Sequence, residues 1–249
     1  MPEILHYVAV FFIGLVAGTT NVVAESGSII ALPALILLGY NSLLANGTNR
    51  ISLFLLNLFA LRTFFNRDRA EFSRSMRFGL AAIPGSILGT FVAFEVHDQL
   101  YNTILGITLI IVVVSIYMNP NDDLAPFATQ PPKNAVMLAV MFCIGFYGGF
   151  IQAGVGLLLM IALSSLFHAV EIKKSIHKIS IVFAYLFPTS LIFIWTENVD
   201  WTGTLVLLIG YVAGGYVGNR PIVKEHDRLI RVILVFSTVV MALKLMRVF

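Results

Sequence analysis

Charged residues are scarce in this sequence: they make up only 12% of its 249 residues, against about a quarter in ordinary soluble domains. Hydrophobic residues make up 58%, and the mean hydropathy is +0.91. This composition excludes a soluble globular domain. Apolar stretches such as 100–118 and 229–246 approach the roughly 20 residues that cross a hydrocarbon core about 30 Å thick. The sequence therefore predicts an integral membrane protein with several spans in the lipid bilayer.

Cysteine is nearly absent, and the single one, Cys143, lies in an apolar run. It excludes an intramolecular disulfide and a CxxC metal or redox motif. The sequence also lacks a serine–histidine–acid arrangement, a Walker loop and a dinucleotide-binding fingerprint in a strand context. His177 has no second metal ligand at a useful spacing. We therefore expect no enzymatic activity, no metal site and no cofactor.

Ten apolar runs lie along the chain, five on each side of a polar stretch. The first run begins at the acidic Glu3 and has neither a basic leader nor a convincing cleavage site, so we expect it to be retained. The polar stretch 119–133 carries four prolines and two aspartates, a composition typical of a linker. We predict an N-terminal membrane repeat at 1–118, a linker at 119–133 and a C-terminal repeat at 134–249. The runs are 4–22, 27–44, 47–66, 76–95, 99–118, 134–152, 155–168, 176–195, 201–218 and 229–248.

The two halves share short motifs in the same order. The matches are Gly14 and Gly18 with Gly145 and Gly149, Asn49–Ser52 with His177–Ser180, Gly85 and Gly89 with Gly210 and Gly214, and His97–Leu100 with His226–Leu229. Ordered matches in four segments favour a duplication. Because five is an odd number of segments, the second copy would be inverted, as in many secondary transporters. The predicted fold class is an all-α membrane protein of two inverted repeats, each with about five hydrophobic segments.

The distribution of basic residues predicts the orientation. Five arginines lie between positions 62 and 77, whereas the corresponding loop of the second half has only the acidic Glu197 and Asp200. The next pair of loops shows the reverse, with Glu95 and Asp98 in the first half and four basic residues between 220 and 231 in the second. Short cytoplasmic loops carry the excess of Lys and Arg, so both termini are predicted outside. Basic residues confined to loops also argue against a nucleic-acid partner.

The turn between the first two segments of each half is polar or glycine-rich, so these segments are predicted to be broken or re-entrant. A helix broken at membrane depth exposes backbone N–H groups and the positive end of its dipole, which together can hold an anion. Helix packing through small residues is the alternative, and we favour it for the four glycines at 14, 18, 145 and 149. The predicted substrate-binding residues of the turns are Asn21, Ser26, Gly27, Ser28, Gln152, Gly154 and Gly156.

Five further residues complete the predicted site. Glu25 is the one carboxylate near a turn and is a candidate for carrying a coupling proton, unless the turn reaches solvent and leaves it hydrated. Arg50 and Lys178 correspond in the two halves, and two converging cations would suit a divalent oxyanion. Lys178 could instead extend the anchor cluster of Lys173 and Lys174 by snorkelling. Asn49 and His177 stand beside the two cations and can add hydrogen bonds.

Four runs resemble the sulfite exporter family, also called the toluene-sulfonate uptake permeases. They are GLVAGTTNVVAESGSIIALP at 14–33, ANGTNRIS at 45–52, GFYGGFIQAGVG at 145–156 and SIHKIS at 175–180. The resemblance spans essentially the whole chain, although family members usually have glycines in place of Glu25 and Ser26. It implies a secondary transporter of a bacterial-type inner membrane that moves sulfite, sulfonates or related small anions without nucleotide hydrolysis.

The function expected from these observations is alternating access, with the anion bound near the midplane between the two broken segments. An anion channel would show the same sequence pattern. A membrane sensor that binds a ligand without moving it is a third possibility. A membrane-embedded enzyme is disfavoured, because general acid–base chemistry needs positioned titratable groups.

Overall fold

A computed structural model describes residues 3–23, 27–65, 69–118, 134–166, 171–220 and 227–247, and these residues form ten α-helices and no strand. The predicted linker at 119–133 lies outside the described residues. The helices are α1 (Glu3–Val23), α2 (Ser28–Leu37), α3 (Ser42–Phe65), α4 (Arg69–Glu95), α5 (Asp98–Met118), α6 (Asn134–Phe150), α7 (Val155–Leu166), α8 (Glu171–Trp195), α9 (Trp201–Gly218) and α10 (Asp227–Leu245). The predicted all-helical class is confirmed.

Four of the described helices are long and apolar enough to cross a membrane, namely α1, α4, α8 and α9. Two others are very short: α2 has 10 residues and α7 has 12. At about 1.5 Å of rise per residue these two helices cover only about 15 and 18 Å, roughly half of a hydrocarbon core. The second segment of each half is therefore a short helix that follows a break.

The boundary between α2 and α3 differs from the predicted apolar runs 27–44 and 47–66. Gly39 has a φ of 111°, a conformation that ends α2 and that side-chain-bearing residues rarely adopt. The Leu44 N–H then donates to Asn41 Oδ1 at 2.7 Å, an N-cap bond that starts α3 earlier than the apolar pattern suggests. Local turn chemistry thus overrides hydrophobicity at this boundary.

The most extensive helix contacts join the two halves of the chain: α1 packs along α9, and α4 packs along α6. Glycines line both crossings. A Cβ atom added to Gly18 would lie 2.2 Å from the Tyr211 carbonyl oxygen, and one added to Gly149 would lie 1.9 Å from that of Ser86. These distances agree with the packing interpretation of the glycines, since only a residue without a side chain permits such close backbones. The inverted orientation of the halves stays a prediction.

Hydrogen bonds gather the first residues of α1, α3, α5 and α9 at one end of the molecule. His6 Nε2 lies 3.1 Å from the Tyr40 hydroxyl, which donates to Asp200 Oδ2 at 2.6 Å. The Ser42 N–H donates to Asp98 Oδ1 at 3.1 Å. Burial and the bond to Asp200 raise the pKa of Tyr40 above its ordinary value, so this hydroxyl stays a donor at physiological pH. The acidic loops identified in the sequence therefore share one end.

Candidate functional site

The first helix break lies between α1 and α2. The Gly27 N–H donates to Asn21 Oδ1 at 3.2 Å, so the side chain of the last turn of α1 holds the start of α2. A Cβ atom at Gly27 would lie 2.2 Å from the Ala17 carbonyl oxygen and 2.9 Å from the Tyr211 ring. Gly27 is therefore buried where a larger residue would not fit. Glu25 and Ser26 lie outside the described residues.

The second break lies between α6 and α7. The connection between them contains Gln152 and Gly154, whose φ angles are 68° and 77°. A left-handed conformation is ordinary for glycine but uncommon for glutamine, and such residues cluster at functional sites. The Tyr147 hydroxyl donates to the Ala153 carbonyl and braces the turn from within α6. Gly156 follows in the first turn of α7 and is partly exposed.

Ser28 joins the two breaks. Its hydroxyl donates to the Gln152 carbonyl oxygen at 3.1 Å, and it accepts from the Gly154 N–H at 3.3 Å. Ser28 is buried at the first residue of α2, while both partners belong to the turn of the other half. The tertiary structure thus brings together the two turns that the sequence predicts as parts of one site.

Arg50 lies fully buried beside the second break. Its guanidinium donates to the Thr189 hydroxyl at 2.9 Å and to Asn46 Oδ1 at 3.1 Å. It also donates to the carbonyl oxygens of Gly148 and Gly149, at 3.0 and 2.8 Å. All four of these acceptors are neutral. Among the residues whose burial is described, Arg50 is the only Lys, Arg, Asp or Glu in the protein interior.

The end of α6 explains how this charge is tolerated. The last carbonyls of a helix have no partner within the helix and carry the negative end of its dipole, so a cation there is stabilised. Arg50 satisfies Gly148 and Gly149, while the Asn46 side-chain amide and the Tyr101 hydroxyl donate to Phe150 at 2.9 and 3.3 Å. The Phe193 ring lies 4.9 Å from the guanidinium carbon, within the range of a cation–π contact.

Three buried atoms near the breaks have no hydrogen-bond partner: Arg50 Nε, Gln152 Oε1 and Asn49 Nδ2. Leaving a buried polar atom unpaired costs about 1–3 kcal/mol. Gln152 Nε2 donates to the Tyr185 hydroxyl at 3.2 Å, and Asn49 Oδ1 accepts from the Tyr211 hydroxyl at 2.8 Å. Each amide is therefore held at one atom and open at the other, which is an arrangement suited to a polar ligand.

The structure does not bring His177 and Lys178 to Arg50. Arg50 contacts α8 at Thr189, eleven residues after Lys178, which corresponds to about 16 Å along the helix axis. His177 is buried, and its Nδ1 lies 2.6 Å from the Ser75 hydroxyl of α4. Lys178 is partly exposed. Arg50 of α3 thus meets α8 at a level well separated from Lys178, and the two cations predicted to converge do not meet.

The sequence interpretation missed Asn46 and Thr189 as partners of Arg50. Asn46 stands four residues before Arg50, a spacing that places both side chains on one helix face and could have identified the pair. Thr189 carries no comparable signal, because its contact with Arg50 joins residues 139 positions apart. Within the described residues, no group of three or more His, Cys, Asp or Glu side chains could hold a metal ion.

The sequence is similar to a known protein family and to several curated proteins. The family model described as "Sulfite exporter TauE/SafE" matches residues 10–245. The probable membrane transporter protein ORF9 of Sinorhizobium sp is 23% identical and covers 97% of this chain and 93% of its own length. The probable membrane transporter protein YfcA of Escherichia coli (strain K12) is 24% identical, with coverage of 95% and 88%. YunE of Bacillus subtilis (strain 168), named in the same words, is 22% identical, with coverage of 93% and 95%. None of the solved structures matches the chain significantly.

Proposed function

Because the chain belongs to the sulfite exporter TauE/SafE family, and is therefore an integral membrane transporter, we propose that it moves sulfite, sulfonates or related small sulfur-containing anions across the inner membrane. The proposed mechanism is alternating access without a cofactor. A transporter family is consistent with the expectation that the chain is not an enzyme. The substrate class rests on the family description together with the charge of the site.

The observation that carries this proposal is the buried guanidinium of Arg50. A charged side chain inside a membrane protein is costly and is by default a functional residue. The hydrogen bonds of Arg50 go to neutral atoms, so the positive charge has no carboxylate partner among the described residues. An anion at this place would be attracted by the net charge and by the nearby start of α7.

The proposed site combines the two breaks around Ser28. Arg50 supplies the charge, Asn49 and Gln152 offer side-chain amides, and the glycines at 27, 154 and 156 let a ligand approach the backbone. Glu25 is proposed to carry a coupling proton. His177 and Lys178 belong to the proposed path of the anion at a different level of α8. Because α1 packs on α9 and α4 on α6, movement of one half would reshape the junction of both breaks.

Uptake by reconstituted vesicles tests the proposal. Purified protein in liposomes is given labelled sulfite or a labelled alkyl sulfonate under an imposed anion or proton gradient, beside liposomes without protein. We expect saturable uptake and counterflow. The Arg50→Lys variant keeps the charge but loses the planar fork, so its uptake should fall by about tenfold or more. Arg62→Lys, an exposed site on the same helix, is the matched control.

The same experiment separates the rival functions. Flux that does not saturate and shows no counterflow would indicate an anion channel. Binding of an anion without any flux would indicate a sensor. Absence of both binding and flux for every sulfur-containing anion would overturn the proposed function.

A further inference from the structure

The number of charges in the site limits the charge of its ligand. Arg50 is the only formally charged side chain that is buried among the residues whose burial is described. Part of its charge already faces the carbonyl dipoles of Gly148 and Gly149 at the end of α6. Lys178, the predicted second cation, lies about 16 Å along the axis of α8 from Thr189, the residue of α8 that Arg50 contacts. Within the described part of the chain, the cation at the second break is thus the Arg50 guanidinium, and two carbonyl oxygens already accept from it.

From this count, and resting on the proposed function, we infer that the site takes anions with a single negative charge, such as hydrogensulfite or an alkyl sulfonate, and discriminates against dianions such as sulfate. An ion removed from water must be compensated by an opposite charge and by hydrogen bonds. A monoanion beside Arg50 forms a neutral pair. A dianion would leave one negative charge buried without a partner.

The neutral groups around Arg50 fit the same ligand. Arg50 and Tyr185 both contact Gly148: Arg50 donates to its carbonyl oxygen at 3.0 Å, and a Cβ atom there would lie 3.0 Å from the Tyr185 ring. The Tyr185 hydroxyl in turn accepts from the Gln152 amide. Arg50 and Gln152 are thus linked through Gly148 and Tyr185, and each keeps one buried polar atom without a partner, Arg50 Nε and Gln152 Oε1.

These two atoms provide one donor and one acceptor. The charged donor at Arg50 suits an S–O oxygen of either ligand. The acceptor at Gln152 suits the O–H of hydrogensulfite. For a sulfonate, the Gln152 amide can turn its nitrogen towards the ligand, because the Tyr185 hydroxyl can donate to the oxygen as well as accept from the nitrogen. A second cation is not required for either ligand.

The test is thermal stabilisation of the detergent-purified wild-type chain, since a ligand that binds only the folded state raises its apparent stability. The probes are methanesulfonate, sulfite, sulfate and thiosulfate, each measured from mildly acidic to mildly alkaline pH. We expect methanesulfonate to stabilise the chain at every pH and to bind at least about tenfold more tightly than sulfate. Stabilisation by sulfite should weaken as pH rises through its second ionisation.

A charge variant adds an independent readout. Gln152→Glu keeps the shape of the side chain but adds a negative charge at the second break, so stabilisation by methanesulfonate should be lost. Gln99→Glu, the same change at an exposed position at the start of α5, should leave it intact. Thermal unfolding of both variants without ligand shows whether they fold.

The outcomes distinguish this inference from the proposed function. Binding of sulfate or thiosulfate as tight as that of methanesulfonate, or of sulfite independent of pH, would overturn the single-charge inference and leave an anion transporter. Binding of methanesulfonate unaffected by Gln152→Glu would also overturn it. If no anion stabilises the chain or crosses the membrane, the proposed function fails as well.

Discussion

Ser28 is the residue at which the two halves share a hydrogen-bond network. The Ser28→Ala change leaves the Gln152 carbonyl and the Gly154 N–H without their partner, and each buried hydrogen bond contributes about 0.5–1.5 kcal/mol. We expect the free energy of unfolding to fall by about 1–3 kcal/mol, measured by thermal unfolding in detergent.

Ser237→Ala is the matched control, because the Ser237 hydroxyl donates only to Leu234 within its own helix. Its effect should be clearly smaller. Equal effects of the two changes would show that the contact between the breaks contributes little to stability.

Arg50 has a structural role as well as the proposed binding role. Arg50→Met would remove the hydrogen bonds to Thr189 and Gly148 and one of the two to Gly149, which also accepts from the Thr90 hydroxyl. The expected cost is about 2–4 kcal/mol. Thermal unfolding of Arg50→Met and of the exposed Arg62→Met measures the difference. A loss no larger in the first variant than in the second would mean that α6 ends stably without its arginine cap.

At the scale of the helices, the glycine crossings decide how closely α1 and α9 approach. Gly214 and Gly215 are neighbours on α9, but a Cβ atom at Gly214 would lie 2.0 Å from the Leu15 carbonyl oxygen, whereas one at Gly215 would meet nothing within 4 Å. Gly214→Ala forces the helices apart and should cost about 1–3 kcal/mol. Gly215→Ala should be neutral or stabilise the helix by up to about 1 kcal/mol.

The two alanine variants are compared by the yield of monodisperse protein in detergent and by its apparent melting temperature. Both variants add one methyl group to neighbouring positions of α9, and only the methyl group at position 214 points at α1, so each variant is the control for the other. A stable Gly214→Ala variant would show that α1 and α9 can separate without loss of folding.

At the scale of the whole molecule, the orientation in the membrane can be measured. The acidic residues at 98 and 200 lie at the end that holds the starts of α1 and α3, while positive charge is concentrated between 62 and 77 in the sequence. In a Cys143→Ala background, we expect Glu3→Cys and Glu197→Cys to react with an impermeant maleimide in intact cells, because both termini are predicted outside. Arg67→Cys should react only after the membrane is permeabilised.

Reaction of Arg67→Cys in intact cells, with protection of Glu197→Cys, would reverse the predicted orientation. Labelling of both positions from one side would contradict the predicted topology of α4 to α8. Neither result would change the site, which depends on the contacts between helices.

The sequence by itself determined the membrane class, the helical fold and the positions of both breaks. These features depend on composition and on local chemistry: apolar runs favour spans, and the polar or glycine-rich sequences at 19–28 and 148–156 interrupt them. The same reasoning proposed Arg50 and Gln152 as site residues, since an arginine in an apolar span and a polar turn are visible without any contact. The sequence predicted the boundary between α2 and α3 less accurately, because the cap formed by Asn41 and the conformation of Gly39 decide where these helices start and end.

Only the tertiary structure decided which of these residues meet. Arg50 reaches Gly148 and Thr189 across 98 and 139 positions, and Ser28 reaches Gln152 across 124. Such contacts depend on how α1 and α6 pack on α9 and α4, which a one-dimensional pattern does not encode. The separation of Lys178 from Arg50 has the same origin. The register of α3 against α8 sets Arg50 beside Thr189, and the helical rise places Lys178 about 16 Å from Thr189 along the axis of α8.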